Sequence, residues 1–544
     1  MERGASFVGA LFTFFFFLVW LKATFGQVVG ERVNAIEVRL PTRWAKEVTP
    51  LWSSSYPNIP LPEYPRPQMT RDESSWVSLN GGWQWQHYEH LDDPIPFGKK
   101  LEKTILVPFP VEATLSGIGL NGTAHMHYRT LFKLGSHRGG YDGFLFDITD
   151  NLKRSHATTH ELILDIWDPT EFADGVPIGK QRASNPGGIV YSATSGIWQT
   201  VWLEAVPDAY ITRVDAIPNI DTNSVTVTVE AYFGMRKAST CRDGQGIMRM
   251  CLNNKPIFLY GNLDQGYWPD GIYVAPRDEA LKSDLLATKA FGFNTVRKHV
   301  KVESSRWYYH VDRVGIIIFQ DMPSMCGMYE HIGNDSLVNG YKMCWNATMG
   351  GNGNHPIPQY AIDQFQLELH RMVEHHYSYP YVYSYEVFNE GWGQYSNSGE
   401  VIASVMALDP SRVSDGISGW TNREPFRGGE FGGIGFRSPG HEWDPEHSFA
   451  INDPAKQPTV DAWMAVYKGM IEKIAGDIPK GQSAALFTQL TDTEQEVNGL
   501  LTYDRINKFD PAAIAKVNQI MYDTFDGVCP AFFPAAQHSR RTGS

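Results

Sequence analysis

The sequence predicts a multidomain protein in which β-rich units precede a parallel (β/α) barrel. The chain has 544 residues, and single hydrophobic cores stop growing near ~250–300 residues, so we expect two or three domains. Short apolar segments bounded by Gly, Pro, Asn and Asp fill residues 71–206, which is typical of a β-sandwich. Beyond residue 252, continuously apolar strands alternate with helical segments, which indicates a parallel sheet buried on both faces.

The N-terminus has the pattern of a secretory signal peptide. Residues 1–26 contain one early cation, an apolar run over 7–21 and then small residues. The run is shorter than the ~20 apolar residues of a membrane span, so we expect cleavage near Gly26, secretion and no stable membrane anchor. An uncleaved signal anchor is the alternative. Three N-x-S/T triplets are candidate glycan acceptors, at Asn121, Asn334 and Asn346.

Charge and cysteine content narrow the class of protein further. The formal net charge is −13, and the sequence contains no long basic run. Proteins that bind nucleic acid present a positively charged surface to the phosphates. We therefore exclude nucleic acid as a partner and expect a small neutral one. Five cysteines are too few for a disulfide scaffold. Two disulfides that each close a loop are possible, Cys326 with Cys344 and Cys241 with Cys251, and Cys529 would then have no partner.

The β-rich half divides into three stretches. Residues 27–70 lack sustained periodicity and are interpreted as an irregular lead-in. The sandwich over 71–206 contains strand segments at 79–85, 127–132, 161–167 and 197–204. A second β unit over 207–251 includes the alternating segment at 225–229. This unit is truncated, because an immunoglobulin-like sandwich needs ~100 residues.

Residues 252–528 are predicted to form the barrel, and 529–544 a C-terminal tail. Strands at 256–260, 294–297, 315–319, 381–388 and 412–417 alternate with helices at 277–291, 303–314, 359–376 and 399–408. Polar residues stand near each strand end, and a (β/α)₈ barrel builds its site from such residues. They include Asp264, Arg297, His299, Asn389, Glu390 and Glu430.

Two carboxylates in this set suit glycoside hydrolysis. That reaction needs one carboxylic acid to protonate the leaving oxygen and a second group to meet the oxocarbenium-like centre. Glu390 and Glu430 are the candidates. A lone Glu after a strand more often caps a helix or pairs with an Arg. Here Asn389 offers an amide for a sugar hydroxyl, and Trp392 offers a stacking face.

These residues resemble glycoside hydrolase family 2, the β-galactosidase, β-glucuronidase and β-mannosidase group. Phe-Asn-Glu at 388–390 resembles the acid/base motif of the family, and Gly-Glu-Phe-Gly at 429–432 resembles its nucleophile strand. Further motifs occur in the family order from about residue 76 to 505, at 168–170, 195–204, 233–237, 252–256, 294–299, 312–315 and 320–323. The resemblance implies a jelly-roll sugar-binding domain, an immunoglobulin-like sandwich and a catalytic barrel of the TIM type.

The resemblance also implies roles. Glu390 would be the general acid and then base, Glu430 the nucleophile of a retaining mechanism, and Asn389 the ligand of the 2-hydroxyl. Arg297 is a candidate partner that keeps Glu430 ionised, with a structural ion pair as the alternative. The expected substrate-binding residues are completed by His299, Asp264, Trp392 and Asp492. The substrate would be a β-linked glycan, and no metal or cofactor is expected.

Other acidic and histidine motifs receive lesser roles. Asp492, Glu494 and Glu496 resemble the loop after the last barrel strand, so we expect them at the rim of the cleft rather than in catalysis. His375 and His376 resemble a metal pair, but neither further His nor Cys completes a site, so we expect a helix end.

The chain departs from the family pattern between its two acids. Only 40 positions separate Glu390 from Glu430, where the family has two further strands with their helices, and one βα unit takes ~30 residues. At least one βα unit is therefore predicted to be missing, through deletion or an incomplete gene model. Because lost strands disturb barrel closure, a non-catalytic carbohydrate-binding relative is the alternative function. A plain β-rich interaction module ranks third.

Overall fold

The computed structural model describes most of the chain between residues 39 and 529. The described residues are 39–48, 59–69, 75–88, 93–96, 98–120, 125–130, 135–154, 162–168, 170, 175–183, 186–207, 210, 220–222, 234–323, 359–391, 393–395, 398–418 and 430–529. The predicted signal peptide, the three glycosylation triplets, Cys326, Cys344, Trp392 and the strand at 225–229 lie outside them.

The N-terminal β domain is built on an antiparallel four-stranded sheet. The lead-in contributes helix α1 (Ala45–Val48), and the domain contains α2 (Thr149–Arg154). The strands of the sheet are β2 (Gly81–His87), β3 (Lys103–Val107), β4 (His125–Thr130) and β5 (Leu162–Trp167), in the order β3-β2-β4-β5. Its apolar side chains form one buried cluster that includes Trp85, Ile105, Val107 and Met126.

Two smaller strand pairs complete this domain. Strand β1 (Trp76–Ser78) pairs antiparallel with β8 (Trp202–Glu204), and β6 (Gln181–Arg182) pairs parallel with β7 (Tyr191–Ser192). The segment predicted as a strand over 197–204 is a strand only at its last three residues. The β6–β7 pair matters for the site, because residues next to it contact the barrel.

A three-stranded sheet joins the β domain to the barrel. It contains β9 (Ala238–Arg242), β10 (Met248–Leu252) and β11 (Lys255–Pro256), in the order β11-β10-β9. A disulfide links Cys241 on β9 to Cys251 on β10, with their Cα atoms 5.9 Å apart. Strand β10 also pairs with β11. The three-stranded sheet therefore crosses residue 252, the predicted boundary between the second β unit and the barrel.

The barrel sheet has seven parallel strands among the described residues. In chain order the elements are β12 (Leu259–Asp264), α3 (Asp278–Ala290), β13 (Thr295–Lys298), α4 (Ser305–Val314), β14 (Ile317–Asp321), α5 (Gln359–His376), β15 (Val382–Asn389), α6 (Ser398–Leu408), β16 (Val413–Ser418), β17 (Glu430–Gly432), α7 (Val460–Ala475), β18 (Ala484–Thr488) and α8 (Pro511–Val528). The strand order is β16-β15-β14-β13-β12-β18-β17.

Local sequence explains the regularity of these elements. Strand β15 is buried along its whole length, as expected for a parallel strand with helices on one face and the barrel interior on the other. Asp510 is the N-cap of helix α8, and its side chain accepts a hydrogen bond from the amide of Ala512. Pro511 follows in the first turn of the helix. Helix α4 ends at Gly315, whose φ of 76° needs a residue without Cβ strain.

The barrel interior is filled by side chains, and the hairpin packs against them. Large residues such as Phe319 and Tyr383 lie in the same buried cluster as Met250 of β10. The hydroxyl of Tyr383 donates to the carbonyl of Ser239, 2.8 Å away, and accepts from the amide of Cys251 at 3.0 Å. The hairpin β9–β10 thus packs tightly against one end of the barrel interior.

The described strands do not include the βα unit that the sequence predicts to be missing. The first five strands of the sheet are β12 to β16, and β17 pairs with the last strand, β18. Glu390 therefore follows the fourth strand, and Glu430 lies on the strand next to the last one. Within the described part of the chain, no strand lies between β16 and β17, so both are edges. The predicted fold class, with its incomplete TIM-type barrel, is confirmed.

No helix that the structure describes is both long enough and apolar enough to cross a bilayer.

Candidate active site

Arg297 lies at the centre of the carboxyl end of the barrel sheet. Its guanidinium forms a bidentate ion pair with Asp321 of β14, in which Nε donates to Oδ1 at 2.8 Å and Nη2 donates to Oδ2 at 2.9 Å. Nη1 donates to Oε1 of Glu430 at 2.7 Å. Nη2 also donates to Oδ1 of Asn389 at 2.8 Å and to the hydroxyl of Ser418 at 2.7 Å. One buried side chain thus connects the ends of β14, β15 and β16 to β17.

Glu430 is the carboxylate that this network holds in the ionised form. Besides Arg297, its Oε2 accepts a hydrogen bond from the hydroxyl of Thr488, 3.1 Å away. Burial works against ionisation, but the positive charge of Arg297 outweighs it and the charge of Lys180 adds to the effect, so the pKa of Glu430 is lowered. A carboxylate that remains charged while 16% exposed is suited to act as a nucleophile.

Asn389 and Glu390 form the turn that follows β15. Asn389 is the last residue of the strand and is 4% exposed, with Oδ1 bonded to Arg297. Glu390 adopts a φ of 52°, a left-handed conformation that is uncommon for a residue with Cβ and occurs frequently at functional sites. Its amide donates to the carbonyl of Ser418 at 2.9 Å. The neighbouring strand β16 therefore fixes the backbone at Glu390.

His299 lies beside the nucleophile candidate as a neutral imidazole. Burial lowers its pKa well below the ordinary value, and the charge of Lys180 lowers it further. Its Nδ1 is 3.0 Å from Oδ2 of Asp321 and 4.0 Å from Oε1 of Glu430. Asp321 is thus shared by Arg297 and His299 and fixes the position of both.

Asp264 belongs to a separate buried ionic cluster. Its Oδ2 accepts from Lys298 at 2.9 Å, and Lys298 also donates to Glu303 at 3.0 Å. Lys301 donates to the same oxygen of Glu303 at 2.7 Å and to the carbonyl of Gly266 at 2.6 Å. Burial opposes the charge on Asp264, but Lys298 prevails and lowers its pKa. The contacts around Asp264 indicate a structural role next to the site.

Asp492 is enclosed rather than at a rim. It is 2% exposed, and its Oδ1 accepts from Lys508 at 2.5 Å and from the amide of Gly499 at 2.8 Å. Its neighbours Glu494 and Glu496 are also 2% exposed. They contact the β domain, because Glu494 accepts from the amide of Ser192 at 2.9 Å and Glu496 accepts from the hydroxyl of Tyr191. This loop joins the two domains.

Three contact residues escaped the sequence analysis. Ser418 and Thr488 are strand-end hydroxyl residues without a motif of their own. Lys180 lies in the β domain, about 250 positions from Glu430 in the chain, so no local spacing connects the two. Asp321 stands in a recognised motif, and the sequence places it among the polar residues at the strand ends, but it is not among the predicted site residues.

His375 and His376 are predicted to lie at a helix end rather than in a metal site. Helix α5 ends at His376, whose Nδ1 lies 2.7 Å from the carbonyl of Met372. Groups of three or more His, Cys, Asp and Glu side chains arranged for a metal ion were not found among the residues that the structure describes.

The fold of this chain resembles that of the multidomain β-glycosidases of family 2, in which a β-rich N-terminal part precedes a parallel (β/α) barrel.

Solved structures of such glycosidases share this fold. β-D-Glucuronidase of Dictyoglomus thermophilum aligns with a TM-score of 0.57 at 14% identity, over 84% of this chain and 98% of that one. A β-glucuronidase of Ruminococcus gnavus aligns with a TM-score of 0.57 at 15% identity, over 84% and 99%. A GH2 β-galacturonidase of Eisenbergiella tayi aligns with a TM-score of 0.55 at 14% identity, over 82% and 97%.

No family model and no curated protein matches the sequence. The solved structures above nevertheless share the fold, so the predicted resemblance to family 2 is confirmed at the level of the fold.

Proposed function

We propose that this protein is a retaining β-glycosidase in which Glu430 is the nucleophile and Glu390 the general acid and base. The proposal is carried by one observation. Arg297 keeps Glu430 ionised at 2.7 Å and bonds at the same time to Asn389, the residue before Glu390. One guanidinium therefore holds the two candidate catalytic segments in a fixed relation. The fold shared with β-glucuronidases and a β-galacturonidase supports the same reaction class.

The reaction would follow two displacements. In the first, a carboxylate oxygen of Glu430 bonds to the anomeric carbon while the glycosidic bond breaks and Glu390 gives its proton to the leaving oxygen. In the second, Glu390 takes a proton from water, the water oxygen bonds to the anomeric carbon, and Glu430 leaves as a carboxylate. Asn389, fixed by Arg297, would donate from its amide to the sugar 2-hydroxyl.

The substrate class is tested with a panel of aryl β-glycosides. The structural relatives act on glucuronides and galacturonides by their names, so these two uronides join galactosides, glucosides and mannosides in the panel. We expect hydrolysis of at least one member, with the β-anomer of the sugar as the first product seen by NMR. An α-anomer as first product contradicts the retaining mechanism.

Glu430→Gln tests the nucleophile. It keeps the size of the side chain and removes the charge, so turnover should fall at least ~1,000-fold, because the covalent step is lost. Glu472→Gln is the matched control, since Glu472 lies on helix α7 with its side chain 57% exposed, and it should hydrolyse at the wild-type rate. Retained turnover in Glu430→Gln overturns the assignment of the nucleophile.

Glu390→Ala tests the general acid through the leaving group. An aryl leaving group of low pKa departs without a proton, so the first step should survive with a dinitrophenyl glycoside and fail with a phenyl glycoside. Added azide should replace water in the second step and restore turnover as a β-glycosyl azide. Equal losses for both leaving groups contradict the acid role.

A non-catalytic carbohydrate-binding relative is the second candidate function. The observation that favours it is the strand order, in which β16 and β17 are both edges among the described residues. Strand number and stagger are linked in closed barrels, and small displacements of catalytic groups cost large factors in rate. Binding of glycans without hydrolysis of any panel member identifies this alternative.

A further inference from the structure

The segment before strand β6 lies against the carboxyl end of the barrel. A Cβ on Gly179 would come within 2.9 Å of the carbonyl oxygen of Val300, which follows His299 in the chain. The φ of Gly179 is 64°, so glycine is required there on both grounds. The chain of the β domain thus reaches the barrel next to His299, and Lys180 is the next residue.

Several contacts fix this segment in place. The carbonyl of Lys180 accepts from the amide of Tyr191 at 2.8 Å. The hydroxyl of Tyr191 donates to Glu496, and the amide of Ser192 donates to Glu494 at 2.9 Å. Lys180 is therefore held between the β domain and the barrel loop that follows β18. Its position is set by the domain contact.

The side chain of Lys180 is buried and unpaired. The residue is 8% exposed, and its Nζ lies 5.6 Å from the centroid of the Tyr191 ring. No described residue accepts a hydrogen bond from this ammonium or forms an ion pair with it. The Nζ atom itself keeps contact with solvent, so an oxygen of a bound ligand can reach it there.

The other cations near the site are already occupied. Arg297 bonds to Asp321 and Glu430, and Lys298 and Lys301 share Glu303. Lys180 nevertheless acts on the site, since its charge lowers the pKa of both Glu430 and His299. Its charge therefore reaches the nucleophile candidate, although none of the described residues forms an ion pair with it.

We propose that Lys180 is a substrate-binding residue supplied by the N-terminal β domain, whose ammonium donates a hydrogen bond to an oxygen of the sugar beside Glu430. This inference rests on the proposed function. The shared chemistry of the ligand is an oxygen acceptor on the sugar, either a hydroxyl or the carboxylate of a uronic acid.

The kinetic test compares Lys180→Met and Lys180→Arg with Lys516→Met. Lys516 is exposed on helix α8, which makes it the matched control for the same chemical change. Loss of a hydrogen bond from a charged donor should lower kcat/KM about 10- to 100-fold in Lys180→Met, mainly through KM. Lys180→Arg should retain part of the activity, and Lys516→Met all of it. Thermal melting verifies that each variant is folded.

The pH profile separates a role in the site from a role in packing. Glu430 faces Arg297 of β13, His299, Thr488 of β18, Asp321 of β14 and Lys180. Removing the charge of Lys180 should raise the pKa of Glu430, so the acidic limb of kcat/KM should move to higher pH in Lys180→Met only. A merely structural role leaves this limb unmoved.

A binding measurement keeps this inference separable from hydrolysis. Wild type, Lys180→Met and Lys516→Met are titrated calorimetrically with glucuronate, galacturonate, glucose and galactose. Weaker binding to Lys180→Met supports the inference even if no glycoside is hydrolysed. A larger loss for the uronates identifies a carboxylate as the acceptor, and an equal loss identifies a hydroxyl.

Two outcomes overturn the inference. If the wild type hydrolyses glycosides and Lys180→Met has unchanged kinetics and pH profile, Lys180 has no part in binding, while the proposed function stands. If the wild type neither hydrolyses nor binds any of these sugars, both proposals fail.

Discussion

Arg297 makes five hydrogen bonds to four residues, and no other side chain could replace it. Two bonds go to Asp321 and one each to Glu430, Asn389 and Ser418. Only a guanidinium offers five N–H donors in one plane. Burial alone would lower the pKa of Arg297, but the charges of Asp321 and Glu430 raise it. The cation therefore remains charged at any pH at which the protein is folded.

Glu494 is a single residue whose burial makes stability depend on pH. Burial raises its pKa to about 7 from 4.5, and a change of this size corresponds to about 3 kcal/mol. The native state holds the proton up to about pH 7, whereas the unfolded chain releases it near pH ~4.3. Stability from this group is therefore complete at low pH, decreases as pH rises from about 4.5 and is lost above about 7.

Glu494→Gln should consequently stabilise the protein at pH 8 and leave it unchanged at pH 4.5. The amide oxygen still accepts from the amide of Ser192, and the buried charge is gone. Thermal melts at both pH values measure this, with an expected increase of several degrees at pH 8. Glu472→Gln, an exposed substitution, should not respond to pH. Equal melting temperatures of wild type and Glu494→Gln at pH 8 contradict the expected burial penalty.

At this scale the sequence predicts residues that stand in motifs and misses those that tertiary structure brings in. Asn389, Glu390 and Glu430 are predicted as site residues from their immediate neighbours in the sequence. Lys180 and Ser418 come from segments distant in the chain, and their contacts depend on how the domains and strands pack. Asp264 was expected near the sugar, but Lys298 holds it in a buried ion pair that spacing could not reveal.

Among the elements, strand β17 carries Glu430, the proposed nucleophile, and its geometry positions that side chain. Gly432, two residues after Glu430, has a φ of 113°, and a Cβ there would lie 2.7 Å from the ring of Phe487 and 2.9 Å from the carbonyl oxygen of Thr488. Both belong to β18, with which β17 pairs. A side chain at this position would push the two strands apart.

Gly432→Ala should therefore lower kcat/KM about tenfold or more, although it removes no functional group, because Glu430 moves relative to Thr488 and Arg297. It should also destabilise the protein, by about 1 kcal/mol or more, since alanine is strained at this φ.

Gly469→Ala is the control for the same substitution. Gly469 lies in helix α7, and a Cβ there meets nothing within 4 Å. Activity should be unchanged and the melting temperature slightly higher, because alanine favours helix. Wild-type kinetics in Gly432→Ala would separate the position of β17 from catalysis.

Elements with long regular patterns were predicted well. Helix 359–376 coincides with the observed helix, and the strand predicted at 381–388 is observed one residue later. The strand predicted at 256–260 is instead divided, because Lys255 and Pro256 pair with β10 and the barrel strand begins at Leu259. Pairing partners decide such boundaries, and a single sequence does not contain them.

For the whole molecule, the strand order predicts where the barrel opens first. Strands β16 and β17 have one neighbour each in the described sheet, whereas β13 and β14 have two. Backbone groups at an open edge are protected less against exchange with solvent. We expect the amides of β16 and β17 to exchange roughly tenfold faster than those of β13 and β14.

Hydrogen exchange followed by mass spectrometry or NMR measures this difference, and the central strands serve as the internal reference. Equal protection of all four strands would indicate that another segment covers the two edges. Binding of a substrate analogue should slow exchange at β17 if the sugar contacts Glu430.

The contacts of Arg297 have a consequence for how this barrel closes. In a complete barrel every strand pairs with two neighbours through backbone hydrogen bonds, whereas β16 and β17 have one neighbour each in the described sheet. Arg297 bonds to Ser418 of β16 and to Glu430 of β17 at 2.7 Å each, so one side chain connects the two edge strands of the described sheet. A buried ion pair of this kind holds the ends of strands together without a backbone ladder between them, so a barrel with fewer strands can still bring Asn389 and Glu430 to one guanidinium.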